Sequence, residues 1–181
     1  CRPAYRASSA RGGTKGSAES SGAPAKSTGP TSAALPAPVA RKGGREEDRI
    51  RALLPLARDA AGRYDIPVPF LLAVMKVESG FRTDAVSEAG AQGLMQVMPF
   101  NHRMLDIRDA FDPAQNIRGG TRLLRILANR FEGDMVQVLA AYHAGGGAVD
   151  RKAGIPYEQT NLYVKKVLDY YYHFKSYYPA R

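Results

Sequence analysis

The chain has 181 residues, with 26 Lys and Arg against 17 Asp and Glu, and it contains one cysteine. This length allows one domain with a buried core, and because no run of 18 apolar residues occurs, a membrane-spanning helix is excluded. A single Cys excludes an intramolecular disulfide and a thiolate zinc site. His102, His143 and His173 lie far apart without ligand spacing, so we predict no metal site.

The positive charge is concentrated at the beginning of the chain. Residues 1 to 45 carry 8 basic residues and one acid, whereas residues 46 to 181 carry 18 basic and 16 acidic residues. The second part is therefore nearly balanced, which argues against nucleic-acid binding. The first part is rich in Ala, Gly, Ser and Pro, so we predict a disordered tether over residues 1 to 45 and a folded domain over residues 46 to 181. The alternative is an unstructured terminus with no role.

The sequence begins at Cys1 rather than at Met. A lone Cys before a linker of small residues resembles the start of a mature bacterial lipoprotein, whose signal peptide is removed before a Cys that carries lipid. We therefore expect Cys1 to be lipidated and to anchor the chain to a membrane; the alternative is an arbitrary boundary. Arg2 lacks the acidic character associated with inner-membrane retention in some bacteria, which favours the outer membrane.

Two helices are predicted at the start of the folded domain. The acidic residues 46 to 48 suit a helix N-terminus, and apolar residues at helical spacing follow until Gly62. Pro55 lies inside this segment and indicates either a kink or a first turn. A second, apolar helix is predicted from about Val68 until Gly80, which stops it.

Glu78 lies on the apolar face of the second predicted helix. On a helical wheel it falls between Leu71, Val74 and Met75, so its carboxylate is aimed at the core. Burial of an unpaired charge is costly, and a buried carboxyl retains its proton to higher pH. The pattern alone leaves three interpretations open: a functional acid, an ion pair with an Arg such as Arg82, and a frayed helix end that reaches water.

The remainder is predicted to be helical apart from one irregular stretch. Residues 84 to 99 contain glycines and short polar runs that favour tight turns and short extended pieces. Further helices are predicted at about residues 101 to 107, 113 to 130, 134 to 144 and 158 to 176. Glycines 145 to 147 are expected to close the third of these. The predicted fold class is mostly α with a small irregular β region.

Several groups of residues in the folded domain resemble a known family in their order and spacing. They are Glu78-Ser79-Gly80-Phe81; Ser87 with Gly90; Gly93-Leu94-Met95-Gln96-Val97-Met98-Pro99; Phe111-Asp112-Pro113 with Asn116-Ile117; Ala141-Tyr142-His143-Ala144-Gly145; and Thr160 with Tyr163-Val164. Linked motifs of this kind are far more specific than one short pattern. The chain resembles the family-1 lytic transglycosylases, which implies an α+β lysozyme-like fold in a single, mostly helical catalytic domain.

The family cleaves bacterial peptidoglycan between N-acetylmuramic acid and N-acetylglucosamine and leaves a 1,6-anhydro ring on the muramic acid. The resemblance implies that Glu78 protonates the glycosidic oxygen and then, as a base, activates the C6 hydroxyl of the muramic acid. It implies peptidoglycan as the partner and no cofactor. We accordingly expect a periplasmic, lipid-anchored monomer.

Five further residues match positions of the family's cleft. Ser87 and Gln96 match hydrogen-bonding residues, and Met98 matches an apolar wall near the reacting sugar. Tyr142 and Tyr163 match hydroxyl-bearing residues near the acid. The residues alone allow structural alternatives: a turn cap for Ser87, an exposed strand position for Gln96 and a core position for Met98. The two tyrosines could equally pack between helices.

Two positions depart from the family's pattern. His143 stands where the family usually has Asn, and Gln159 stands where it usually has Glu, in a loop that is one Pro shorter. His143 introduces a titratable neighbour, and Gln159 removes a negative charge. We assign both to substrate binding and expect activity to survive, because Glu78 is present. The alternatives are hydrolysis by water, as in goose-type lysozyme, and a wall-binding protein without catalysis.

Overall fold

The computed structural model describes residues 45 to 152 and 154 to 178. All of these except Arg45 belong to the predicted folded domain. Apart from Arg45, the predicted tether lies outside the described residues, and so does Cys1, the predicted lipidation site. None of the helices in the described part is long and apolar enough to cross a membrane.

Seven α-helices make up most of the described chain. They are α1 (Glu46–Tyr64), α2 (Val68–Ser79), α3 (Pro99–Leu105), α4 (Pro113–Arg130), α5 (Met135–Ala144), α6 (Gly146–Lys152) and α7 (Glu158–Tyr177). This is the mostly helical architecture that the sequence predicts, with five of the helices close to their predicted bounds.

Side-chain caps account for where two of the helices begin. The Asp112 carboxylate accepts a hydrogen bond from the backbone N–H of Gln115 at 2.8 Å, at the start of α4. Asp134 accepts from the backbone N–H groups of Val136 and Gln137 at the start of α5. Such caps satisfy N–H groups that have no partner within the helix. Both helices therefore begin within one residue of the predicted position.

Two helices differ from the prediction. Helix α3 begins at Pro99, two residues earlier than expected, because proline is tolerated in a first turn, where its missing N–H is not needed. Helix α6 is absent from the prediction. Gly145, with a φ of 84°, does end α5, but the glycines that follow enter a short helix instead of a loop. Val149 is buried there and Asp150 pairs with Arg130 of α4, so tertiary contacts outweigh the low helix propensity of glycine.

Helix α2 lies at the centre of the domain. Its residues 70 to 75 are each at most 4% exposed, and it packs against α1 and α7. Helix α1 in turn packs against α4 and continues through the exposed Pro55, which neither begins nor ends it. Because residues 70 to 75 are enclosed by the core, close packing holds most of α2 in a fixed position.

The segment between α2 and α3 is the irregular β region that the sequence predicts. It contains two isolated antiparallel bridges, both made by Gln92. Asn116 of α4 clamps this segment. Its Oδ1 accepts from the Met95 N–H at 2.7 Å, and its Nδ2 donates to the carbonyls of Gln92 and Ala110, each at 2.9 Å. One buried amide thus satisfies three backbone groups and fixes the segment against α4.

Gly93 allows this close approach. Its φ is 78°, and a Cβ at this position would lie 2.2 Å from the Ala110 carbonyl oxygen and 2.3 Å from Asn116 Nδ2. Both the backbone conformation and the available space therefore require glycine.

Candidate active site

Glu78 lies in the last turn of α2, where the helix meets the irregular segment. Ser79 Oγ donates to the carbonyl of Leu94 at 2.8 Å and so joins the helix end to that segment. Gly80 adopts a left-handed conformation with a φ of 59°, and its N–H bonds to the carbonyl of Lys76. The helix end is therefore held by defined contacts, which excludes the frayed end considered from the sequence.

Tyr163 of α7 contacts the Glu78 carboxylate directly. Its hydroxyl donates to Glu78 Oε1 at 2.6 Å, and its ring is buried. Helix α7 packs along α2, which brings together two residues that are 85 positions apart in the chain. The tyrosine thus both packs between helices and hydrogen-bonds the acid.

Burial raises the pKa of Glu78 from 4.5 to about 7, and the hydrogen bond from Tyr163 opposes that increase. Burial dominates because the charged carboxylate loses its hydration. Within the described part of the chain, no basic side chain contributes to this balance. Arg82, offered by the sequence as an ion-pair partner, instead donates from Nε to the carbonyl of Ser79 at 3.0 Å. Glu78 is therefore a carboxyl that keeps its proton to higher pH than an exposed glutamate does.

Tyr142 of α5 provides a second hydroxyl near the acid. It donates to the carbonyl of Met95 at 2.8 Å, which ties α5 to the irregular segment. Burial and the charge of Glu78 raise the pKa of both Tyr142 and Tyr163 well above the ordinary tyrosine value. Both phenols therefore keep their protons at neutral pH and act as hydrogen-bond donors.

Ser87, Gln96 and Met98 lie on the irregular segment. Ser87 Oγ accepts from the N–H of Ala91 at 3.0 Å, as the turn cap considered from the sequence would do. Gln96, with a φ of 48°, donates from Nε2 to the carbonyls of Gly93 and Ala85, so it holds a tight turn and is not a strand residue. Met98 is partly exposed immediately before α3, which excludes the core position.

His143 and Gln159 differ in their surroundings. His143 packs its ring against Tyr163, with centroids 4.5 Å apart, and its Nδ1 lies 3.3 Å from Thr160 Oγ1. Burial lowers the pKa of His143 below its ordinary value. Gln159 is exposed in the first turn of α7. The structure thus brings together Glu78, Tyr163 and His143, while Gln159 lies at the surface.

The motifs also contain polar residues to which sequence reasoning gives no role. Asn116 and Ser79 are buried and hold the irregular segment, and Thr160 is buried beside His143. The sequence could have indicated these roles only through the polar residue types, because a buried polar side chain needs a hydrogen-bond partner. Within residues 45 to 152 and 154 to 178, no group of three or more His, Cys, Asp or Glu residues could hold a metal ion.

Comparison with known proteins identifies the family to which this arrangement belongs. The family model described as Transglycosylase SLT domain matches residues 55–164. The chain belongs to this family. Membrane-bound lytic murein transglycosylase C of Actinobacillus pleuropneumoniae serotype 5b is 40% identical to this SLT-domain chain over 124 residues, covering 59% of the chain and 34% of the relative. The transglycosylase of Enterobacteria phage PRD1 is 40% identical over 86 residues, covering 48% and 32%.

Solved structures of SLT-type enzymes share the fold. The 70 kDa soluble lytic transglycosylase of Escherichia coli superposes with a TM-score of 0.63 at 28% identity, covering 70% of this chain and 24% of that one. An inactive Glu-to-Gln variant of the Slt lytic transglycosylase of Pseudomonas aeruginosa gives a TM-score of 0.62 at 29% identity, covering 68% and 24%. The predicted resemblance and the lysozyme-like fold class are confirmed. The chain spans about a third of the length of the curated relatives it matches.

Proposed function

We propose that the protein is a peptidoglycan lytic transglycosylase in which Glu78 is the catalytic acid and base. The observation that carries this proposal is the enclosed carboxyl of Glu78, whose pKa burial raises to about 7 while Tyr163 donates to it. A general acid works best when its pKa lies near the working pH. Membership in the SLT family supports peptidoglycan glycan strands as the substrate.

One carboxyl is sufficient for the proposed reaction. Protonated Glu78 gives its proton to the oxygen of the bond between N-acetylmuramic acid and N-acetylglucosamine, and that bond breaks. The N-acetyl group of the muramic acid stabilises the cationic C1 centre, as in substrate-assisted glycosidases. Ionised Glu78 then takes the proton of the C6 hydroxyl, whose oxygen bonds to C1 and closes the 1,6-anhydro ring. Ring closure within one sugar is favoured over attack by water because of proximity.

The same side chain acts as acid first and base second, so a pKa close to neutral suits both steps. The hydroxyl of Tyr163 supports the base form, because a hydrogen bond to a carboxylate stabilises its charge. Tyr142 supports the geometry by fixing the segment that carries Gln96 and Met98. None of these proposed steps requires a cofactor.

We further propose that Ser87, Gln96, Met98, His143 and Gln159 contact the glycan around Glu78. The partly exposed Met98 supports an apolar contact with the reacting sugar. The Ser87 hydroxyl accepts from a backbone N–H and keeps its own proton for donation to substrate.

We also propose that the protein works in the periplasm, anchored to the outer membrane by lipid on Cys1. Several curated relatives are named membrane-bound lytic murein transglycosylases, which supports a membrane location. The test is incorporation of labelled palmitate by cells that express the protein from its complete gene, with Cys1→Ser as the control. Label in the wild type alone is expected, and an unlabelled wild type refutes the anchor.

The reaction is tested by mass spectrometry of the fragments that the 181-residue protein releases from purified peptidoglycan sacculi. Wild type and Glu78→Gln are compared, with Glu88→Gln as a matched control because Glu88 is exposed on the irregular segment. Anhydro-ended fragments from the wild type and the control, with a loss of about 10²-fold to 10⁴-fold in Glu78→Gln, are expected. Reducing ends would identify a hydrolase, and a folded wild type that releases nothing would refute catalysis.

A further inference from the structure

His143 is a titratable residue that is linked to Glu78 through Tyr163. Its ring lies on the Tyr163 ring at 4.5 Å between centroids, with 32° between the ring planes. Its Nδ1 lies 3.3 Å from Thr160 Oγ1, and Thr160 and Tyr163 are three residues apart on α7. The imidazole therefore rests on α7 at two points. The Tyr163 hydroxyl then donates to Glu78 at 2.6 Å, which completes a continuous line of contacts.

We propose that His143 is a positioning residue that holds the Tyr163 ring in place and that strengthens the hydrogen bond from Tyr163 to Glu78 when the imidazole is protonated. This inference rests on the proposed role of Glu78. It adds an action of His143 through Tyr163 to the glycan contact proposed above.

The packing and the charge of the imidazole act separately. Aromatic rings at this distance attract each other, so the neutral imidazole restrains Tyr163. A positive charge beside the phenol makes its O–H a stronger donor and favours the ionised form of Glu78. The Thr160 hydroxyl can either donate or accept, so its contact with Nδ1 of His143 persists in both charge states.

Helix α5 and the helices packed against it carry titratable groups whose charges bear on this effect. Tyr142 of α5 and Tyr163 of α7 stay protonated, because burial raises their pKa values. Asp150 of α6 pairs with Arg130 of α4. Glu78 of α2, which contacts Tyr163, is the group whose charge changes near neutral pH. Burial lowers the pKa of the imidazole itself, so the imidazole stays neutral to lower pH than an exposed histidine does.

The test is an NMR titration of the Glu78 carboxyl carbon in the 181-residue chain labelled with ¹³C-glutamate, with the signal assigned from Glu78→Gln. In the wild type we expect a main step near the pKa of about 7 and a smaller second step in the acidic range where His143 titrates. His143→Phe keeps a flat ring without a charge, so the main step should stay and the second step should disappear. His143→Ala removes the ring as well, so the main midpoint should rise by about 0.5 unit.

The matched control is His173→Phe. His173 also lies on a ring, that of Tyr177 at 5.2 Å, but it is on the last turns of α7 and outside this line of contacts. We expect it to change neither step, and thermal unfolding verifies that all variants are folded. Identical Glu78 curves in the wild type, His143→Phe and His143→Ala overturn the inference.

This readout separates the inference from the proposed function. The carboxyl titrates whether or not sugar is cleaved, so an inactive wild type would refute the reaction and leave the titration result standing. In an active enzyme, the pH profile of kcat/KM should lose its acidic inflection in His143→Phe, whereas a purely structural role would lower activity by the same factor at every pH.

Discussion

Replacement of Tyr163 by Phe removes one hydroxyl from the site and keeps the ring. The lost group is the donor to Glu78 Oε1 at 2.6 Å. A hydrogen bond to a charged group contributes roughly 1.5 to 3 kcal/mol, and one pKa unit corresponds to about 1.4 kcal/mol. Because this bond lowers the pKa of Glu78, its loss should raise that pKa from about 7 by roughly 1 to 2 units.

The assay is the pH dependence of kcat/KM on purified glycan strands, which reports the pKa values of the free enzyme. The alkaline limb, where Glu78 loses its proton, should move upward in Tyr163→Phe by the same roughly 1 to 2 units. Tyr157→Phe is the matched control, because Tyr157 is 57% exposed, and its profile should coincide with that of the wild type. An alkaline limb that stays in place or moves to lower pH refutes the reasoning.

Two further predictions concern stability, measured by urea unfolding. The folded-state pKa of Glu78 is raised from 4.5 to about 7, so the folded protein loses stability as pH rises through this interval. Relative to the wild type, the free energy of unfolding of Glu78→Gln should therefore rise by up to about 3 kcal/mol as the pH increases from 5 to 8. A difference between the two proteins that does not change with pH contradicts the raised pKa of Glu78. The free energy of unfolding of Gly93→Ala should fall by about 3 kcal/mol because of backbone strain and overpacking. The control Gly133→Ala, with a φ of 80° and no atom within 4 Å of the added Cβ, should lose only the strain part, and equal losses would exclude the clash.

The helices could be predicted from local chemistry, because their signals lie within the segments themselves. An Asp precedes both α4 and α5, and Gly80 follows α2. Helix α6 escaped prediction for the opposite reason. Three consecutive glycines indicate a loop, and only the burial of Val149 and the pairing of Asp150 with Arg130 stabilise a helix there. Such contacts between distant elements leave no periodic signal in a sequence.

The candidate site could be predicted only in part. Periodicity aims Glu78 at the core because α2 has an apolar face, and the family motifs point to Tyr142 and Tyr163. The choice between an ion pair and an enclosed acid could not be made from the pattern, since it depends on what α7 brings to the end of α2. The contact between the His143 and Tyr163 rings likewise depends on how α5 packs against α7.

The Asn116 clamp has a consequence for how this protein can be altered. The position uses one acceptor and two donor hydrogens at a fixed reach, and Asp or Leu, although similar in size, would leave buried backbone groups without partners. Variants selected in the laboratory for new glycan preferences can therefore accept few substitutions in this part of the chain. Exposed side chains on α3, such as Phe100 and Met104, can vary without disturbing the scaffold beneath them.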